Sequence, residues 1–175
     1  MAAAASTAVH GRAEAVVAWR YWQLSPDRLL RSVTQKWIEW PPGRPLRARC
    51  LEVQHPAPDV DCACGVYGTR DLGGLKEHGL CLFPESALLI GQVALWGKVV
   101  GDEAGHRGET AYPVRLSLVV DSVADGELEA VTEGLARYGV PVDTTTLDQA
   151  VAGASATMLA FQAMSLRASR TWADG

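Results

Sequence analysis

The sequence predicts an α+β fold: an antiparallel sheet or open barrel with a metal-clasped loop, followed by two C-terminal helices. Three observations carry this expectation. β-Branched and aromatic runs dominate the first two thirds of the chain, helical spacing of apolar residues takes over after about residue 125, and Cys50, His55, Cys62 and Cys64 crowd into one short stretch. With 175 residues the chain has the length of one domain and can bury roughly 70% of the surface its unfolded form exposes. Hydrophobic residues are 48% and charged residues 21%, which excludes wholesale disorder. No apolar run approaches the roughly 20 residues that span a bilayer. Residues 1–13 are read as a disordered leader without the basic region of a signal peptide, and 14–175 as a single zinc-stapled domain. The expected compartment is the cytoplasm, where thiols stay reduced and clustered cysteines favour metal over disulfide.

Taken in order, Ala15 to Leu24 reads as a strand that stops at Ser25-Pro26-Asp27, with Leu29, Leu30 and Val33 continuing on the far side of the turn. Pro41-Pro42-Gly43-Arg44-Pro45 fits neither a helix nor a central strand and is a surface connection. Leu46 to Val53 reads as a strand delivering Cys50 and Glu52 to one face. Asp71 to His78 makes a short helix weakened by Gly73 and Gly74. Ala87 to Val100 and Ala111 to Val120 are strands joined through the turn Gly101 to Gly105, forming a long antiparallel hairpin. About five antiparallel strands result.

Leu128, Val131, Leu135 and Tyr138 then recur at helical spacing between a capping pair, Ser122 and Asp125, and the stop Gly139-x-Pro141. They predict a helix over 125–138. A second stripe, Leu147, Val151, Ala154, Met158 and Phe161, predicts a helix of about 22 residues opening after Asp143-Thr144-Thr145. Its apolar surface is wider than one narrow face, and its small residues permit close approach, so a homodimer through this helix is expected.

The order C-x4-H-x6-C-x-C between Cys50 and Cys64 supplies the four ligands of a tetrahedral zinc site. An iron–sulfur cluster on the same residues is the less favoured alternative; buried free cysteines with a surface His55 are the other reading. A site closed by four protein ligands has no position for water and is structural. Cys81, among Leu80, Leu82 and Phe83, is expected in the core, and His78 is a ligand only if His55 is not. A second candidate site is Trp96 with Arg107, Glu109 and Tyr112 on the returning arm of the hairpin. Arg107 and Glu109 there share a strand face, to hold a polar ligand or to pair with each other. His106 is expected in a solvated turn.

Of six tryptophans, Trp37 and Trp40 beside the proline run are the candidates for an exposed recognition edge; otherwise they lid the core. Net charge is -4, yet residues 12–49 hold eight basic groups against three acids. The plain reading of that imbalance is a solvated outer face.

Trp40-Pro41-Pro42-Gly43, Cys50, His55-Pro56-Ala57-Pro58, Cys62 to Tyr67, Gly91 to Gly97 and Ala111-Tyr112-Pro113 together resemble a set of small uncharacterised proteins from high-GC bacteria. These share W-P-x-G, C…H-x-A-P…C-x-C-G-[IV]-Y, G-x-V-x-L-W-G and A-Y-P in this order. The resemblance covers about residues 15–116 and brings no activity. It implies that the cysteine stretch and the hairpin from Gly91 to Pro113 form one structural unit.

No serine-hydrolase elbow, phosphate loop, H-E-x-x-H or dinucleotide fingerprint is present. The function expected is therefore a zinc-stabilised, non-enzymatic interaction or regulatory module. The alternatives are an enzyme or small-ligand binder with a pocket between sheet and helices, and a nucleic-acid module using Trp37 and Trp40 as stacking groups.

Overall fold

The structure, a computed structural model, describes residues 8–9, 14–78 and 86–152. Its spine is a hairpin of two long strands, numbered here in chain order: β7 (Leu88–Gly101) and β8 (Gly105–Val119). Asp102 closes the turn between them, its Oδ1 accepting hydrogen bonds from the backbone N–H groups of Ala104 and Gly105, both at 3.0 Å. Both outer edges of the hairpin are occupied. On β7 lies β2 (Val16–Leu24), paired from Val16–Leu95 to Gln23–Leu88, with the two-residue β1 (Ala8–Val9) beyond it. On β8 lie three short strands in succession: β6 (Val66–Thr69), β5 (Leu46–Arg47) and β9 (Val142–Thr145). Two further short strands, β3 (Leu30–Arg31) and β4 (Glu39–Trp40), extend the sheet from β2.

The expected α+β class is what the structure contains, with two differences. β9 runs parallel to β8, so the sheet is mixed. No apolar alternation marks Val142-Asp143-Thr144-Thr145; the Leu116 N–H bond to the Pro141 carbonyl (3.0 Å) and the Arg115–Asp143 ion pair (2.5 Å) hold it there. The strand expected over 46–53 ends at Arg47, because the backbone beyond it turns around the Cys50 sulfur, as described below. Among the described residues the pairings also run round a ring, β7–β8–β6–β2, but the β6–β2 link rests on the single pair Trp19–Thr69.

Alternation along the spine feeds two cores. Leu89, Val93, Leu95 and Val99 of β7 face a cluster with Ala18, Trp22, Trp40, Leu116 and Leu118, covered by the helix α2 (Leu128–Ala136) through Val131 and Leu135. Leu88 and Ile90 face the other way, against Tyr21, Val119 and Leu75 of α1 (Leu72–His78) and Ala150 of α3 (Leu147–Val151). A sheet covered on both faces explains why β7 reads as a nearly continuous apolar run. In α1, Asp71 Oδ1 accepts from the Gly74 N–H at 2.7 Å and so compensates for the weak glycines.

The first C-terminal helix is shorter than expected. Ser122 does not cap it; its hydroxyl accepts from the Leu88 N–H (2.8 Å) and donates to the Val119 carbonyl (2.6 Å), fastening the strand ends instead. Gly139 at φ +65° marks the stop. α3 opens with a capping box, Thr146 and Gln149, and ends at Ala152, whose ψ of 124° leaves the helical region. Among the described residues the helix runs only from Leu147 to Val151, and the rest of the expected 22-residue span lies outside them. Leu147 and Ala150 pack on the sheet, while Ala154, Met158, Phe161 and Cys81 lie outside the described residues.

Tyr138 ties α2 to the β3–β4 hairpin. Its hydroxyl donates to the Trp40 carbonyl and accepts from the Leu30 N–H, both at 2.7 Å, in a buried setting. Burial pushes its pKa up to about 12. The neutral phenol is favoured in the folded chain, so its stabilising contribution is full below about pH 10 and lost as pH rises toward 12. Tyr138→Phe should lower stability at neutral pH by about 1–3 kcal/mol, because it strands two buried backbone groups. Urea unfolding reads the loss, and an unchanged midpoint would show that the hydroxyl is not needed.

Candidate metal centre

The loop from Ala48 to Gly65 carries the four expected ligands, and the structure brings all of them together. Cys50 Sγ, Cys62 Sγ, Cys64 Sγ and a ring nitrogen of His55 lie within 4.8 Å of one another. Cys50 and Cys62 sulfurs are 3.8 Å apart, and Cys64 Sγ is 4.0 Å from His55 Nε2. The group can hold one metal ion.

Each ligand is presented by local chemistry. After Cys50 the chain folds back so that the Val53 N–H points to its sulfur at 3.5 Å. Backbone N–H groups of Val53 and Glu52 favour the thiolate and bring the Cys50 pKa to about 7. A strand would have sent those N–H groups to a neighbouring strand; spent on sulfur, they leave Leu51 and Val53 exposed at 57% and 58%. His55 Nδ1 lies 3.0 Å from the Pro56 carbonyl, a contact that raises the imidazole pKa and, as an N–H donor bond, leaves Nε2 for the ion. At Cys62 a hydrogen bond from the Cys64 backbone favours the thiolate, but burial and the neighbouring sulfurs of Cys64 and Cys50 outweigh it and raise the pKa. Asp59 starts the return: its carboxylate accepts from the Asp61 N–H at 3.0 Å.

The loop is anchored to the sheet by Arg107. This β8 residue is 6% exposed, and its Nη1 donates to the carbonyls of Asp59 (3.1 Å), Cys64 (2.9 Å) and Cys62. Asp102 lies 3.9 Å from its Nε, and the guanidinium carbon sits 5.9 Å from the centroid of the Tyr67 ring. Tyr67 in turn donates from its hydroxyl to the Ala63 carbonyl. Gly65, at φ +124°, lets the chain leave Cys64 against this anchor; a Cβ there would meet Arg107 and Pro58 Cβ atoms at 3.0 Å.

The second expected site is not assembled. Glu109 does not pair with Arg107: its Oε2 accepts from the Lys98 N–H at 3.0 Å in the β-bulge made by Gly97 (φ +77°). Tyr112 accepts from the Gly43 N–H (2.7 Å) and donates to the Tyr138 carbonyl (3.0 Å), so it clamps the proline connection. Trp96 pairs with Thr110 and lines a cleft that none of the other three reaches. His106 is a half-buried strand residue, its pKa lowered by burial and by Arg70, and not a solvated turn. Of the two proposed recognition tryptophans, Trp37 is 73% exposed but Trp40 is 1% exposed, set edge-on to Trp22 at 5.5 Å.

That cleft has a volume of about 1070 Å³ and follows the β2–β6 seam, where one residue pair joins the strands. Trp19, Trp37 and Trp96 line it, with Arg20, Ser32 and Thr69; Cys50, Cys62 and Cys64 form part of its rim. No sequence spacing signals it, because its walls come from many separated stretches between Trp19 and Thr110.

Arg107→Met should cost about 3 kcal/mol in urea unfolding, since three loop carbonyls lose a charged donor, and should speed the reaction of Cys62 and Cys64 with a thiol reagent. Arg107→Lys should restore only part, lacking the planar fork. A wild-type midpoint in Arg107→Met would mean that the loop supports itself. Comparisons with models of known protein families, with curated proteins and with solved structures give no match to this chain.

Proposed function

We propose that the protein is a non-enzymatic binding module whose cysteine loop is stapled by one structural zinc ion. The observation that carries this reading is the tight grouping of three sulfurs and one imidazole nitrogen within 4.8 Å. With Zn–S near 2.3 Å, the edge of a tetrahedron between two sulfurs is about 3.8 Å. The Cys50–Cys62 separation of 3.8 Å has that value. An iron–sulfur cluster spreads its ligands over several iron atoms, and this spacing leaves room for one ion, which favours zinc.

Three thiolates and a neutral imidazole around Zn²⁺ leave a net charge of −1, and Arg107 places a buried cation behind the same loop. All four ligands are protein groups, so the ion has no open position for a substrate or water. Its work is then to hold the rim of the cleft in shape. A small-ligand-binding role for the cleft is the second reading, favoured by its size and its tryptophans. The nucleic-acid reading loses one of its two stacking groups with the burial of Trp40. No helix among the described residues is long and apolar enough to cross a membrane.

Protein purified without chelator should carry about one zinc per chain by elemental analysis and show no visible absorbance. Cys62→Ser should lose the ion and several kcal/mol of stability, because structural metal binding contributes directly to folding. Acid should release the ion as protons compete for the thiolates and His55. Sub-stoichiometric metal together with an unchanged melting temperature in Cys62→Ser would overturn the proposal.

A further inference from the structure

We propose that the cleft along the β2–β6 seam binds a small planar aromatic carboxylate, with the guanidinium of Arg20 receiving the carboxylate and indoles of the wall enclosing the ring. The proposal deepens the binding-module reading and rests on it for the shape of the cleft rim. Its central observation is the state of Arg20. This β2 residue lines the cleft, lies 5.2 Å from the centroid of the Trp40 ring, and donates through Nη1 to the Tyr67 carbonyl (2.6 Å) and through Nη2 to Ser32 Oγ (3.1 Å). Its third donor position, Nε, is buried and has no hydrogen-bond partner. Among the described residues no carboxylate pairs with it. A desolvated cation held by neutral acceptors at a cleft wall wants an anion.

The rest of the lining agrees in charge. Arg47 and Arg49 are exposed residues of the same lining, which holds two acids, Glu52 and Asp102. Asp102 already lies beside Arg107 and caps its own turn. The surplus is therefore positive. Hydroxyls of Ser32, Thr34, Thr69 and Thr110 and the amide of Gln35 are among the other polar groups of the wall, and no Gly-rich run of the kind that cradles phosphate lines it. One buried cation with an unused N–H matches a monoanion better than a phosphate dianion.

Aromatic character of the ligand follows from the walls. Trp19, Trp37 and Trp96 all line the cleft, and Trp37 leaves 73% of its surface exposed there. An indole this open is a site for stacking rather than a core residue. A volume of about 1070 Å³ lies just above the roughly 300–1,000 Å³ usual for small-molecule sites, so the ligand leaves part of the cleft to water.

Calorimetric titration of the full, metal-loaded chain tests this with 2-naphthoate, its uncharged analogue 2-naphthylmethanol, inorganic phosphate and a short single-stranded oligonucleotide. Expected is saturable one-to-one binding of 2-naphthoate, with the alcohol at least about tenfold weaker and no heat from phosphate. Arg20→Lys should weaken naphthoate about tenfold, since a point charge replaces the fork. Should that variant fail to fold, Trp37→Ala carries the test: it alters an exposed side chain and should weaken naphthoate severalfold at an unchanged melting temperature. Equal binding of acid and alcohol, preference for phosphate or oligonucleotide, wild-type affinity in Trp37→Ala, or no saturable heat would each overturn it. Zinc content is measured on the same samples. Zinc present without naphthoate binding defeats this inference alone, whereas zinc absent defeats the structural-zinc reading.

Discussion

The pairing of β7 with β8 is the interaction on which the other strands depend. Both strands are long enough that each offers its outer edge to more than one partner, and strands of two to four residues, too short to persist alone, are held by it. The bulge at Gly97–Lys98 adds one residue to β7 opposite Glu109, and that carboxylate satisfies the Lys98 N–H. A second register shift, at Gln92–Val93 opposite Pro113, places a proline where the ladder is already interrupted. Irregularity in the spine thus falls at positions whose residues tolerate it.

From that spine Lys98 reaches the cysteine loop at Asp59, 3.9 Å away, and Arg107 reaches three of its carbonyls. Arg107 replaces what a regular strand would have supplied, since the segment Asp59–Cys64 makes few backbone bonds of its own and sends three carbonyls to one guanidinium. Burying such a cation costs free energy, which the three charge-assisted hydrogen bonds and the contact with the Tyr67 ring offset. Sheet and loop are coupled through this residue. The loop closes locally around Cys50 and His55, while its position against the sheet is a long-range matter.

The same loop borders the seam where the sheet is weakest. β2 belongs firmly to β7, β6 belongs firmly to β8, and among the described residues their ladder holds the single pair Trp19–Thr69. Fuller pairing would zip that edge shut; instead Arg20 spans it, its Nη1 on the Tyr67 carbonyl of β6. The cleft, the buried cation and the cysteine rim therefore meet at one place for one reason, the incomplete closure of the strand ring.

Local patterns by themselves determined the hairpin, the helix through Val131 and Leu135, the short helix after Asp71 and the grouping of Cys50, His55, Cys62 and Cys64. Each depends on residues close in sequence: alternation, helical spacing, a capping side chain, or ligands separated by a few positions. Tertiary structure alone decided the rest. Trp40 and Trp37 sit in nearly the same local context, and only the presence of Trp22 and Tyr138 beneath one of them makes it core. Arg107 and Glu109 share a strand face, yet one meets the carbonyls of a loop over 40 residues away and the other a bulge on the opposite strand. Val142–Thr145 has no strand pattern and became one because β8 had an open edge beside it. A side chain's partner across the fold is set by where the backbone carries it, and no spacing along the chain records that destination.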